Sequence, residues 1–259
     1  MKKTTSNWIR IIIFTAVFLV VAGFFSKTAF AMQGGVPIPN VDINIGTAET
    51  PQQAASSLQV LFVIAIISLA PFILLMLTCF TRLIIALHFL RSALGTQQMP
   101  PNQIMIGLAL FLTFFIMGPT LSTINETAIQ PLSQGTITIE QAIETGMEPL
   151  RTFMIRQVEK KDVALFASLS GQTYASPEEV PSHVLIPSFI LGEISKGFRF
   201  GFFIYMPFIV IDMVVASTLM AMGMMMLPPA MISLPFKVLL FVMVDGWNLV
   251  IEYLIRTFK

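Results

Sequence analysis

Four charged side chains stand where the sequence is otherwise apolar: Glu193, Asp212, Lys237 and Asp245. Asp212 lies between Ile211 and Met213, Lys237 between Phe236 and Val238, and Asp245 further along the last apolar zone. A lone charge at the centre of a membrane helix costs about 3 kcal/mol on insertion scales, so such groups pair or face wet cavities. Asp212 and Lys237 are the natural pair, because they flank a break at which the chain can reverse. Two chemistries are open: an ion pair that pins helices together, within or between subunits, or a proton relay using Glu193 or Asp245. Covalent, redox and phosphate chemistry lack their motifs, since there is no Gly-Lys phosphate loop, dinucleotide fingerprint, H-E-x-x-H or G-x-S-x-G. The single cysteine, Cys79, excludes an internal disulfide and a multi-cysteine metal site. Glu140, Glu144 and Glu148 recur at helical spacing as a solvated acidic face, and His88 and His183 fall on opposite sides of the expected topology. No catalytic residue, metal ligand or cofactor is expected, and no enzyme.

The break between the two charges is Met222-Gly223-Met224-Met225-Met226-Leu227-Pro228-Pro229. Proline lacks an amide donor and clashes with the preceding turn, so the helix before it is expected to end near Leu227. Non-helical backbone at membrane depth survives only where protein buries it or where it lines a cavity. Methionine is flexible and polarizable and fills irregular gaps. Met224, Met225 and Met226 therefore read either as gap-filling side chains between helices or as a deformable seal. Gly223, Pro228 and Pro229 supply the bend on either side.

The elements that position these residues are apolar helices. Charged residues make up 11% of the chain, against roughly 25% in soluble domains, and the mean hydropathy is +0.82. A net charge of +1 implies no basic surface for nucleic acid. Residues 1–31 have the form of a secretory signal peptide, with Lys2, Lys3 and Arg10 before the apolar Ile11–Phe25 and Ala29-Phe30-Ala31 as the cleavage site. An uncleaved anchor helix is the competing reading. Residues 32–57 form a segment outside the cytoplasm. Residues 58–124 hold a first helical hairpin, with spans Leu58–Thr78 and Ile104–Ile124 separated by a break at Gly95–Pro101. The loop 79–103 carries Arg82 and Arg91 without an acid, which places it in the cytoplasm by the positive-inside rule. Residues 125–187 are polar and read as a small helical domain on the opposite side, with Leu150, Phe153, Met154 and Val158, then Leu165, Phe166 and Leu169, at helical spacing. Ser176-Pro177-Glu178-Glu179 has the form of a helix start. Residues 188–259 form a C-terminal hairpin around the methionine loop, its last apolar zone being Pro235–Ile255. Within it Gly197-Phe198-Arg199-Phe200-Gly201 spaces two glycines for close helix packing. The expected fold is all-α and membrane-associated, with about four apolar helices.

Three long stretches resemble the FliP family of flagellar export-gate proteins and its injectisome counterpart. They are Phe80–Leu83, Leu90–Gln103 and Gly107–Phe114. Gly223–Pro229, Pro235-Phe236-Lys237 and Asp245-Gly246-Trp247 are similar to that family's C-terminal motif, and the likeness extends over about residues 58–256. The resemblance implies a ring of five copies, completed by FliQ and FliR, with FlhB and FlhA as further partners. It implies a place in the bacterial inner membrane at the flagellar basal body, with residues 125–187 facing the periplasm and unfolded flagellar proteins as cargo. It also implies that Met224, Met225 and Met226 form a gasket, and that Asp212 and Lys237 form an ion pair stabilising the assembly. From the residues alone, a proton-coupled transporter and an assembly scaffold without its own pore remain alternatives.

Overall fold

The computed structural model describes residues 61–258 except 62, 63, 66, 67, 70, 74, 97, 98, 175 and 225. The signal peptide, the segment 32–57, the first residues of the first expected span and Met225 lie outside the described residues. As the long apolar runs predict, the fold is all-α; among the described residues there is no strand.

Helix α1 (Phe80–Leu94) turns one face inward. Leu83, Ala86, Leu87, Leu90, Ala93 and Leu94 recur every three or four residues and are all buried. It stops at Gly95, whose φ of +74° is open to glycine at no steric cost. The segment read as a basic loop is thus mostly helix, and Arg82 in its first turn is buried rather than facing a loop's solvent. Arg91 stays near the turn and donates to Asn102 Oδ1 at 2.5 Å and to the Pro100 carbonyl at 3.3 Å.

Helix α2 (Asn102–Ser133) runs past the expected end at Ile124. Its backbone widens to a π-turn at Asn125–Ile129. Pro131 explains the widening: a proline ring collides with the carbonyl four residues back, here Thr127, and the wider turn moves that carbonyl aside. Up to Ile124 the buried stripe is Met105, Ala109, Leu112, Thr113 and Met117, and Ala128 is buried beyond it, while Phe111, Phe114 and Phe115 point outward. A helix apolar on both faces needs lipid or protein around it.

Helix α3 (Ile139–Gln157) opens with a reciprocal cap, Gln141 N–H donating to Thr138 Oγ1 and Thr138 N–H to Gln141 Oε1. It packs on the extension of α2 through Gly146, where an added Cβ would lie 3.3 Å from Ala128. Helix α4 (Lys160–Leu169) buries Asp162 and Ala167, not the expected leucines: Leu165 and Leu169 are exposed, because the contact is made at Gly192, which accepts only short side chains. Ser176–Glu179 yields a single 3-10 turn, Pro177–Glu179. Pro181 disfavours helical backbone at Val180 and stops it from propagating. Arg151 ties this turn down by donating to the Glu178 and Val180 carbonyls. Leu150, Met154 and Val180 belong to the same core as Leu83 and Leu87, so these helices close over the hairpin they follow.

Helix α5 (Ser182–Ala221) is the axis of the molecule. At 40 residues it is about 60 Å long, twice a bilayer's hydrocarbon core, so part of it must stand outside the membrane. Its glycine pair works as the spacing suggests. A Cβ on Gly197 would sit 3.0 Å from Ile85, and one on Gly201 would fall inside the Phe89 ring, so α1 lies directly against the α5 backbone. Helix α6 (Pro229–Met243) returns along α5, and α7 (Gly246–Arg256) turns away at 67°. The apolar zone expected over Pro235–Ile255 is therefore two helices, broken at Asp245 with φ +52°. A Cβ on Gly246 would strike the Phe241 ring, so only glycine lets α7 fold this closely onto α6.

Candidate functional site

The α5–α6 connection ends earlier than proline alone dictates. Helix α5 stops at Ala221, and Gly223 takes φ +75°. Met224 N–H then bonds the Leu219 carbonyl at 2.9 Å, and Gly223 N–H the Met220 carbonyl at 3.0 Å. This is a glycine-closed helix end, in which the αL residue ties up carbonyls the helix has left free. Pro228 follows in extended backbone and Pro229 opens α6, where a missing amide costs nothing. The loop therefore has two fixed ends, and its described methionines lie between them. Met222, Met224 and Met226 are exposed, Met226 by 98%. Such side chains await a partner, because water is a poor solvent for thioethers.

Below the loop, Asp212 on α5 faces Ser233 and Lys237 on α6. Lys237 Nζ donates to Asp212 Oδ2 at 2.6 Å, and Ser233 Oγ to Asp212 Oδ1 at 2.5 Å. Ser233 and Lys237 stand four residues apart, on one helix face, which lets both reach one carboxylate. Lys237 is 7% exposed and Asp212 38%, so the chain encloses the ammonium and leaves one side of the carboxylate uncovered. Taking away Asp212 would leave the buried ammonium without its anion. Asp212→Asn is expected to loosen the hairpin and reduce complex yield, by less than the ~3–5 kcal/mol of a fully buried pair because 38% of the Asp212 side chain is left uncovered by its own chain. Exchanging the two residues is expected to restore part of the yield. Normal yield in both Asp212→Asn and Lys237→Met would show that the contact does not hold the hairpin.

A second charged centre was not legible as one. Glu193 on α5, singled out as a lone carboxylate, is fully buried and grips Arg82 of α1. Arg82 Nε donates to Glu193 Oε2 at 2.9 Å and Nη2 to Oε1. The remaining donors go to the Thr257 carbonyl and Oγ1 at 3.0 Å each, and to Gln157 Oε1 at 3.1 Å. All five N–H groups of a guanidinium are thereby used. The cation also lies 3.8 Å over the Phe258 ring, and Gln157 Nε2 donates to the Phe258 carbonyl. This one side chain joins α1, α3, α5 and the end of the chain. The sequence did hold a signal: an arginine and a carboxylate, each set in an apolar segment, need one another. The positive-inside rule already explains Arg82 as a loop charge, which masks that need.

Asp245 stands apart from both centres. It is exposed at the α6–α7 elbow, where Asn248 Nδ2 donates to it at 2.5 Å. Among the described residues no group of three or more His, Cys, Asp or Glu is placed to hold a metal ion.

The sequence matches known proteins along most of its length. The model of the FliP family covers residues 63–254. The flagellar biosynthetic protein FliP of Bacillus subtilis (strain 168) is 48% identical over 220 residues, spanning 85% of this chain and all of that protein. The protein of that name from Pectobacterium carotovorum is 46% identical over 239 residues, 91% of this chain and 89% of the relative. That of Borreliella burgdorferi is 49% identical over 228 residues, 86% and 87% of the two chains.

Proposed function

The chain belongs to the FliP family, a component of the flagellar export apparatus, and we propose that it is a pore-forming subunit of the flagellar protein export gate. The observation that carries this reading is the α5–α6 hairpin, with methionines exposed at its tip and a three-residue clasp beneath them. A seal must be anchored, so that force on it does not open the helices, and soft, so that it admits chains of varied shape. The clasp supplies the first and thioethers the second.

The outward apolar faces support assembly. Phe111 and Phe115 on α2, Phe202 and Met213 on α5, and Met231 and Val242 on α6 are all exposed. Helices this long leave the bilayer at one end, and the emerging part needs protein cover. Five copies in a ring, with FliQ and FliR, would give that cover, and FlhB and FlhA would dock as further partners. The complex would sit in the bacterial inner membrane at the flagellar basal body. The segment 125–187 would face the periplasm, and unfolded flagellar proteins would pass along the ring axis. This chain would hydrolyse nothing and would bind no cofactor; energy would come from partners and the proton motive force. The test is the mass and image of the detergent-extracted complex. A ring with an axial hole lined by residues 222–228 is expected. A particle whose axis is walled by other segments would overturn the pore role.

A further inference from the structure

The corner between α3 and α4 faces α5, and both sides carry charge. Helix α3 ends at Gln157 and α4 begins at Lys160, so the corner is the two residues between them. From its side Glu159, Asp162 and the Gln157 carbonyl offer acceptors. From α5, Lys196 and Arg199 offer donors, three residues apart on one helix face. We propose that Lys196 is the counter-ion of Asp162, and that its ammonium, bridging the Asp162 carboxylate and the Gln157 carbonyl, clamps this corner onto α5.

Elimination among the nearby charges leaves this pair. Arg82 and Glu193 satisfy each other. Glu159 is shared by Lys161 at 2.9 Å and Arg199 at 3.6 Å, and the hydrogen bond from Lys161 holds its carboxyl below the usual carboxylate range. Asp162 remains: it is 6% exposed, and its Oδ2 is enclosed without a donor. Lys196 remains as well. Its side chain is 20% exposed and donates to the Gln157 carbonyl, while Glu193, 4.0 Å away, is already held by Arg82. An ammonium has three hydrogens, so Lys196 keeps donors to spare. With Asp162 counted, two buried carboxylates balance the two cations, Arg82 and Lys196; without it one cation is uncompensated.

The geometry permits the contact. Asp162 packs on Gly192, where an added Cβ would lie 3.0 Å from Asp162 Oδ2. Lys196 is one turn further along the same face of α5, and a helical side chain leans back over the turn before its own Cα. Its ammonium therefore sweeps the patch that Gly192 leaves open, and Asp162 already acts on that charge through space. An enclosed carboxylate oxygen without a donor is costly, and this one long side chain can reach it. Gln157 closes α3 and Asp162 lies in the first turn of α4, so one ammonium holding both would fix the angle at which α4 leaves α3. The outer pair, Arg199 with Glu159, adds less, because 56% of the arginine and 31% of the carboxylate side chain stay exposed.

Limited trypsin digestion of the detergent-extracted complex is the test, with cleavage after Lys160 and Lys161 read by mass spectrometry. Both lysines are exposed in the first turn of α4, and a helix must open locally before a protease can cut it. Asp162→Asn and Lys196→Met are each expected to speed that cleavage about tenfold, because each leaves the other charge enclosed alone. The double variant Asp162→Asn/Lys196→Met is expected to be cut more slowly than either single, which loss of packing would not produce. Arg199→Gln is expected to change the rate by less than about twofold. Slower cleavage in Asp162→Asn than in the natural chain would mark an uncompensated carboxylate and overturn the clamp. So would a double variant cut as fast as the faster single, or an effect of Arg199→Gln as large as that of Lys196→Met. Size-exclusion follows assembly alongside: if a single variant does not assemble, recovery in the double supports the pair and no recovery overturns it. The clamp acts within one copy, so its failure leaves the pore reading untouched.

Discussion

Glu193→Gln is expected to leave little of this protein assembled in the membrane. The substitution preserves shape and removes one charge, so its effect is electrostatic. Arg82 stays buried, with 2% of its side chain exposed, and loses the anion that compensated it. Breaking a buried pair on one side costs about 3–5 kcal/mol, against roughly 5–15 kcal/mol for a whole domain's stability. The loss would spread, because the same guanidinium holds Gln157, Thr257 and the Phe258 ring. Removing both charges is expected to do less damage than removing either. In Arg82→Leu/Glu193→Leu neither buried partner is stranded, and the remaining cost is the unpaired Gln157 and Thr257 groups and the loss of Glu193 from beside Lys196, 4.0 Å away. Measuring membrane-inserted protein and complex yield for the two single variants and the double separates this account from simple loss of packing. A double variant worse than both singles, or a normal yield in Glu193→Gln, would contradict it.

What the sequence could reveal depended on how local the cause was. The inward stripe of α1 needs only helical periodicity, and its end needs only Gly95. The packing of α5 on α1 follows from Gly197 and Gly201, four residues apart, and their Cβ positions are occupied by Ile85 and Phe89. The contact of Asp212 with Lys237 is inferable from the cost of a solitary charge in an apolar helix, since a reversal between them is marked by glycine and proline. The helix ends were harder. Proline alone predicts an end near Leu227, yet Gly223 stops α5 at Ala221 first, by satisfying its last carbonyls. The elbow at Asp245 carries no such mark before it: a non-glycine residue takes φ +52° because α7 must lie on Phe241, a tertiary demand. The Arg82–Glu193 pair spans 111 residues of sequence, and each partner had a plausible local account. Long-range pairing is the information that periodicity and spacing do not contain.

The largest functional effect is expected from replacing Met224, Met225 and Met226 together with alanine. Met226, 98% exposed, has almost no contact within its own chain and Met224, 46% exposed, is only partly covered, so truncating them costs the monomer less than truncating a buried side chain. In a ring, by contrast, every copy contributes its loop to the same axis. There the side chains would fill the lumen with apolar matter, and an apolar constriction excludes ions by dewetting. Alanine shortens each side chain by three heavy atoms and widens the constriction, so membrane conductance should rise and growth should suffer before secretion does. Leucine keeps the apolar volume but branches at the γ carbon and lacks one rotatable bond. It should preserve the seal while slowing export, because the constriction adapts less readily to each passing side chain. The loop ends would bound this behaviour: Gly223 and Pro228 stand where the loop leaves and rejoins the helices, and the Asp212 clasp would keep those helices together as the loop yields. Small-molecule leak into cells carrying the triple-alanine variant, with complex assembly checked alongside, is the deciding measurement. A normally assembled complex that leaks no more than the natural one would reduce the methionines to filling between helices, and the seal would have to lie elsewhere on the axis.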